Sequence, residues 1–244
     1  MKRAIILAGG KAERLRPITE AIPKCMVEVL GRPILAYQIH WLRSYGISEV
    51  YLACGYRHDL IEDYFGNGSS QGVRIHYLVE DKPLGRGGAL KNALKAIGGT
   101  DDIVALNGDN ICNLVLSEIY SFHQTHTGLV TLVTAPLRSN WGIVNIGENN
   151  VVQSFSEKPE LPYRINAGIY LLRPQITELL PDVGDHETCT FPKLAAEGQL
   201  YAYSKDGFWR TIDTVKDVNE LKTELEQMFL GALFQPDGSK AVSK

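Results

Sequence analysis

The chain has 244 residues, 44 % of them hydrophobic, and a formal net charge of −3. That is enough apolar material for one large core, and the mild acidity argues against a general nucleic-acid surface. No apolar run approaches the roughly 18–20 residues of a membrane span, and Met1-Lys2-Arg3 leads into one short strand rather than a secretory leader, so the expected location is cytoplasmic with no membrane partner.

Short apolar runs alternate with helical patterns through the first half. Residues 2–8, 48–54, 72–79 and 102–107 read as strands, and residues 33–45, 58–65, 86–96 and 115–126 as helices. This rhythm predicts a mostly parallel sheet with right-handed crossovers. From residue 130 the strands crowd together, at 130–135, 142–146, 151–157 and 165–172, and suggest antiparallel additions that wall one side of a cleft. Helices are expected near 174–181 and 188–197, and a last one at about 214–230. The whole reads as α/β, doubly wound, with one domain over residues 1–230. The Gly, Pro, Ser and Lys mixture of residues 231–244 reads as a frayed tail.

Cys25, Cys54, Cys112 and Cys189 show no paired ligand spacing and are expected to be reduced core or near-core residues. The six histidines form no ligand set. His123 and His126 read as surface or core residues of a helix, and Tyr37, Trp41 and Tyr45 as a buried helix stripe.

The most informative stretch is Ile5-Ile6-Leu7-Ala8-Gly9-Gly10-Lys11-Ala12-Glu13-Arg14-Leu15-Arg16-Pro17-Ile18-Thr19, closed by Pro23-Lys24. A buried strand empties into a glycine pair whose backbone N–H groups can approach an anion closely. Lys11, Arg14, Arg16 and Lys24 add clustered positive charge. A strand, a glycine turn and cations describe a polyphosphate site at the carboxyl edge of a sheet.

These residues resemble the signature of the sugar-1-phosphate nucleotidyltransferases, which usually reads L-A-G-G-x-G-T-R-L-x-P-x-T followed by P-K. The chain departs at Ala12 and Glu13. The resemblance covers about residues 1–222 and implies the nucleotidyltransferase version of a Rossmann-like sheet. It implies that Arg14 binds the β- and γ-phosphates of a nucleoside triphosphate. Lys24 would lie between the sugar phosphate and the α-phosphate, and Leu7, Gly9 and Gly10 would contact the nucleotide. Asp109, in Leu106-Asn107-Gly108-Asp109, is the implied nucleotide and magnesium ligand.

In Gly207-Phe208-Trp209-Arg210-Thr211-Ile212-Asp213-Thr214-Val215-Lys216-Asp217 the family's usual acid, two residues after tryptophan, is Thr211. Asp213 is then the second magnesium ligand, with Asp217 as an outside candidate. Asp213 or Thr214 also reads as a helix N-cap, and both roles can hold at once. The W-x-x-x-D-T variant resembles the glucose-1-phosphate cytidylyltransferase branch.

Phe155-Ser156-Glu157-Lys158-Pro159 and Asn166-Ala167-Gly168-Ile169-Tyr170 match the family's E-K-P and N-A-G-x-Y segments. They imply a sugar-phosphate site with Glu157, Lys158, Asn166 and, for close approach, Gly142.

The segment Val79-Glu80-Asp81-Lys82-Pro83-Leu84-Gly85-Arg86-Gly87-Gly88 matches the family's base-binding loop, so Glu80 and Gly85 join the nucleotide set. A carboxylate only accepts hydrogen bonds, which suits guanine first and cytosine second if Glu80 points at the base. The expected activity is nucleotidyl transfer from an NTP to a sugar-1-phosphate with Mg2+, GTP and mannose-1-phosphate first. CTP, UTP or dTTP with glucose-1-phosphate is the alternative, a catalytically silent nucleotide-sugar sensor is a second class, and a dinucleotide-dependent dehydrogenase is weaker. A homo-oligomer is compatible with the sequence.

Overall fold

A computed structural model of the protein describes residues 1–10, 15 and 18–233. In chain order the elements are β1 (Arg3–Leu7), β2 (Glu28–Val29), β3 (Arg32–Pro33), α1 (Ile34–Ser44), β4 (Glu49–Cys54), α2 (His58–Phe65), β5 (Arg74–Val79), α3 (Gly85–Ile97), β6 (Ile103–Asn107), β7 (Asn110–Cys112) and α4 (Leu116–His123). There follow β8 (Val130–Arg138), β9 (Ile143–Ile146), β10 (Val152–Ser156), β11 (Glu160–Leu172), α5 (His186–Ala196), β12 (Leu200–Ser204), β13 (Trp209–Thr211) and α6 (Val215–Leu233).

Seven strands form one sheet in the order β12-β8-β11-β6-β1-β4-β5. β1 pairs in parallel with β4 and β6, and β4 with β5, whereas β11 runs antiparallel to both β6 and β8. Successive side chains of a strand point to opposite faces. Ala4, Ile6 and Ala8 therefore join one core layer with Leu35, Ile39, Ile61 and Ile119. Ile5 joins the other with Leu90, Leu94, Phe191 and Leu194. Both faces are covered, which is why these strands read as unbroken apolar runs.

The structure corrects the second half. β11 is antiparallel as expected, but with β8 it lies inside the main sheet rather than being added beside it. A run of apolar residues fixes that a strand is buried but not which neighbour it takes. β9 and β10 stand apart from the main sheet as a two-stranded ribbon in which Val144 pairs with Phe155 and Ile146 with Val152, and β2–β3 and β7–β13 form two further small pairs. Residues 174–179 form a 3-10 turn rather than an α-helix. The strands β2, β3, β7, β12 and β13 carry too few residues or too much polarity to show a period. α6 continues to Leu233, beyond the expected end of the apolar pattern, and residues 234–244 lie outside the described residues. All four cysteines are free, but Cys189 is exposed rather than near the core.

His123 ends α4 and is fully buried. Its Nδ1 and Nε2 of His126 both lie within hydrogen-bond distance of Thr131 Oγ1, at 2.7 and 2.8 Å. Burial pulls the His123 pKa from 6.5 down to about 4, against the opposing pull of Asp102. The unfolded chain therefore takes up this proton before the folded one. Stability is complete above about pH 6.5 and falls as the pH drops toward 4, by about 3 kcal/mol in all. Thermal melts across this range should show a shallower acid limb for His123→Gln than for the wild type. Parallel limbs would reject the assignment.

Candidate active site

The carboxyl ends of β1, β4 and β6 open onto one cavity of about 270 Å³. This is the edge where ligands of open α/β sheets bind. Leu7, Gly9, Gly10, Glu80, Gly85 and Asp109 all line it, and Lys24 joins them. The turn after β6 presses onto β1: the Gly108 N–H donates to the Leu7 carbonyl at 2.9 Å. A Cβ at Gly108 would stand 2.8 Å from the same oxygen, so glycine is required there by close approach. Arg14, together with Lys11, Ala12, Glu13 and Arg16, lies outside the described residues.

Lys24 begins a short 3-10 turn after Pro23, whose φ of −67° fixes the entry. Its ammonium lies 2.6 Å from Asp109 Oδ2 and 2.9 Å from Asp213 Oδ1, with the side chain 15 % exposed. The two carboxylates come from distant segments. β13 pairs with β7, aligning Thr211 with Asn110, and the Ile212 N–H donates to the Asp109 carbonyl at 3.1 Å. Ile212 is itself fully buried with Leu15, Leu221 and Leu225 in a third apolar cluster. That packing seats Asp213 opposite Asp109. The sequence reading placed Lys24 between two phosphates; in the chain itself its ammonium bridges two carboxylates.

Asp217 has a different task. Its Oδ2 accepts the N–H groups of Asp213 and Thr214 at 2.9 and 2.7 Å, while Thr214 Oγ1 accepts the Asp217 N–H. This is a reciprocal capping box at the start of α6. Thr214 and Asp217 thus start the helix, and Asp213 is left to face Lys24.

Among the described residues no group of three or more His, Cys, Asp or Glu side chains forms a metal cluster. Two carboxylates converging on one cation are nevertheless the donor set that suits a hard divalent ion completed by phosphate oxygens. Asp109 and Asp213 therefore fit Mg2+.

Glu80 reaches the cavity, yet its Oε2 accepts the Leu84 N–H at 3.0 Å and closes the loop over residues 80–84. Gly85 has φ +73°, and a Cβ there would stand 2.5 Å from the Gly184 carbonyl oxygen. Its glycine is thus demanded by contact with the segment before α5 as well as by its left-handed backbone.

The sugar-side set is split. A Cβ on Gly142 would meet the Phe155 ring at 2.5 Å and Glu157 Oε2 at 3.0 Å, so these three residues meet at the base of the ribbon. Lys158 follows with a left-handed φ of 48°. None of Gly142, Glu157, Lys158 and Asn166 lines the cavity described above. Asn166 turns away: its Oδ1 accepts the Gly168 N–H, and its Nδ2 donates to Tyr170 Oη at 2.9 Å and Glu187 Oε1 at 3.1 Å.

Sequence reasoning missed Arg86, Asn107, Gln38 and Glu187. Arg86 and Asn107 line the cavity and sit inside quoted motifs, so their positions were readable. Gln38 is buried on α1 and donates to the Asn107 carbonyl at 2.7 Å. Neither it nor Glu187 has a local signal, because each acts across the fold.

No helix among the described residues is long and apolar enough to cross a membrane. A family model described as nucleotidyl transferase matches residues 3–228. Mannose-1-phosphate guanyltransferase 2 of Candida glabrata is 36 % identical over 224 residues, 88 % of this chain and 62 % of the relative. Mannose-1-phosphate guanyltransferase of Aspergillus fumigatus is 37 % identical over 228 residues with the same coverage. The chain thus spans 62 % of the length of these curated relatives. Among solved structures, HddC from Yersinia pseudotuberculosis superposes with a TM-score of 0.74 at 27 % identity, covering 92 % of this chain and all of that one. The same protein complexed with GMP-PN gives 0.73 at 25 %, with the same coverage.

Proposed function

The chain belongs to the nucleotidyl transferase family, and on that premise we propose that it condenses GTP with mannose-1-phosphate to give GDP-mannose and pyrophosphate. The observation that carries this reading is the Lys24 ammonium between Asp109 and Asp213 beside the Gly9-Gly10 turn. The names of the relatives, mannose-1-phosphate guanyltransferases, support the choice of base and sugar. A cytoplasmic enzyme is part of the same reading.

An oxygen of the sugar phosphate attacks the α-phosphorus in line and pyrophosphate leaves, so no covalent enzyme intermediate is needed. Bringing two phosphates together costs electrostatic repulsion, and the mostly buried Lys24 ammonium lowers that cost. Arg14 would take the β- and γ-phosphates. Mg2+, held by Asp109 and Asp213, would supply charge neutralisation on the phosphate oxygens. Glu157 would accept from sugar hydroxyls, Lys158 would pair with the sugar phosphate, and Gly142 leaves the room for close approach. Asn166 would shape that wall rather than reach into it, since its amide is already committed.

Pyrophosphate release should be measured with Mg2+ across GTP, CTP, UTP, dTTP and ATP, each with mannose-, glucose-, galactose- and N-acetylglucosamine-1-phosphate. GTP with mannose-1-phosphate is the expected best pair. Preference for UTP or dTTP would keep the reaction and discard the Glu80 argument. Binding of an NDP-sugar with no turnover would favour the sensor. In the same assay Glu80→Gln should keep the loop closed, because an amide oxygen can still accept the Leu84 N–H, and its melting temperature should stay close to that of the wild type. Its kcat/KM ratio should move about tenfold from GTP toward UTP, since an amide can donate where a carboxylate cannot. An unchanged ratio would separate Glu80 from base choice.

A further inference from the structure

Glu187 stands 101 residues from Arg86 in sequence, yet one of its oxygens gathers three donors from two other elements. Glu187 Oε1 accepts from Arg86 Nη1 at 2.7 Å, from Tyr170 Oη at 2.8 Å and from Asn166 Nδ2 at 3.1 Å. Arg86 is in the first turn of α3 and lines the nucleotide-side cavity. Its Nε and Nη2 bind Asp185 Oδ2, and Asp185 Oδ1 accepts the Glu187 N–H as the N-cap of α5. The Arg86 side chain is therefore fixed by two carboxylates on one helix start.

Asn166 and Tyr170 bracket an irregular stretch of β11. Asn166 pairs with Thr134 and Tyr170 with Leu132, so β11 carries extra residues between them. Such bulges bend a strand and re-aim its side chains. Inside it, Gly168 has φ +67°, and a Cβ there would stand 2.6 Å from Nδ2 of Asn107, a cavity-lining residue. The bulge is thus packed directly behind the cavity wall. Its backbone is held by the Gly168 N–H on Asn166 Oδ1 and by Trp209 Nε1 and Asn110 Nδ2 donating to the Ala167 carbonyl at 2.9 and 3.2 Å, and the side chains that bracket it, Asn166 and Tyr170, are held by Glu187.

We propose that Glu187 is a positioning residue: it pins the Asn166–Tyr170 bulge on the sugar-phosphate side and Arg86 on the nucleotide side through one carboxylate. The substrate part of this inference rests on the reading of the chain as a sugar-1-phosphate nucleotidyltransferase. The structural part does not. Asp185 still holds Arg86 when Glu187 is lost, and Trp209 and Asn110 still hold the Ala167 carbonyl, but the Asn166 and Tyr170 side chains that bracket the bulge lose their shared acceptor. Truncation at Glu187 consequently falls on the sugar side.

Two readouts test it on the whole chain. In steady-state assays Glu187→Ala should raise the KM for the sugar-1-phosphate about tenfold or more and leave the KM for the nucleotide within about twofold. Glu187→Gln, whose amide oxygen still accepts from Tyr170 and Asn166, should restore most of the difference. Tyr170→Phe, which removes one donor, should show a smaller change of the same kind. Amide hydrogen exchange over residues 164–170 should be faster in Glu187→Ala and close to wild type in Glu187→Gln. Equal rises in both KM values, or unchanged exchange in the bulge, would overturn the positioning role. If Glu187→Ala does not fold, Tyr170→Phe and Glu187→Gln carry the same comparison, and unchanged bulge exchange and sugar KM in Tyr170→Phe would count against it. An inactive wild type would refute the proposed function alone, because the exchange measurement needs no substrate.

Discussion

Lys24→Met is expected to lower kcat by about three orders of magnitude, the scale seen when a preorganised charge at a reacting phosphate is removed. Methionine is unbranched and only one atom shorter, so the loss would be mainly electrostatic. The substitution also removes the ammonium that lies 2.6 Å from Asp109 and 2.9 Å from Asp213 and so takes one positive charge from between the two carboxylates. Like charges in a partly buried site repel strongly, and a divalent ion would relieve that repulsion. The variant should therefore bind Mn2+ more tightly than the wild type in the absence of nucleotide, by about tenfold. Pyrophosphate release gives the first readout and calorimetric Mn2+ titration the second. Near-normal turnover would remove Lys24 from the mechanism. Unchanged Mn2+ affinity would mean that the ammonium does not compete with a cation for the two carboxylates.

Asp213→Asn and Asp109→Asn should each raise the Mg2+ concentration for half-maximal rate about tenfold or more and cut the saturated rate about a hundredfold. An amide preserves the volume and one acceptor oxygen but supplies no negative charge, so neither change should alter the fold. Asp217→Asn is the matched control. Asp217 is four residues from Asp213 and carries the same charge, but its carboxylate caps α6. Its amide oxygen can still accept both N–H groups, so that variant should lose no more than about 1 kcal/mol, the worth of a negative charge at a helix start, with its Mg2+ titration unmoved. If Asp213→Asn titrates like the wild type, Asp213 is not a ligand. If Asp217→Asn shifts as far as Asp213→Asn, the capping assignment is insufficient.

That the residues proposed for the nucleotide half share one cavity was legible because their signals are local. Leu7 must end a buried strand, Gly9 and Gly10 must turn, and Pro23 sets the approach of Lys24, each through dihedral or burial constraints that act within a few residues. Asp109 follows the apolar run Ile103 to Leu106 for the same reason. The sugar half was less so. Gly142, Phe155 and Glu157 do meet, as the motif implied, but Asn166 is turned into a network with Tyr170 and Glu187. An asparagine's hydrogen-bonding capacity is visible in sequence; who uses it is not.

The sequence by itself determined the doubly wound order of the first half, the carboxyl-edge location of the cavity and the residues of the glycine turn. Strand period, glycine freedom and charge clustering are properties of short segments, and they survive whatever the rest of the chain does. Only the tertiary structure decided that Asp213, 189 residues from Lys24, faces it, while Asp217 caps a helix. It alone seated β11 between β6 and β8 in the main sheet and brought the Glu187 carboxylate against Arg86, Asn166 and Tyr170. Those outcomes depend on strand register, sheet order and close packing between distant segments. Such contacts form only once the whole chain is folded, and no local pattern encodes them.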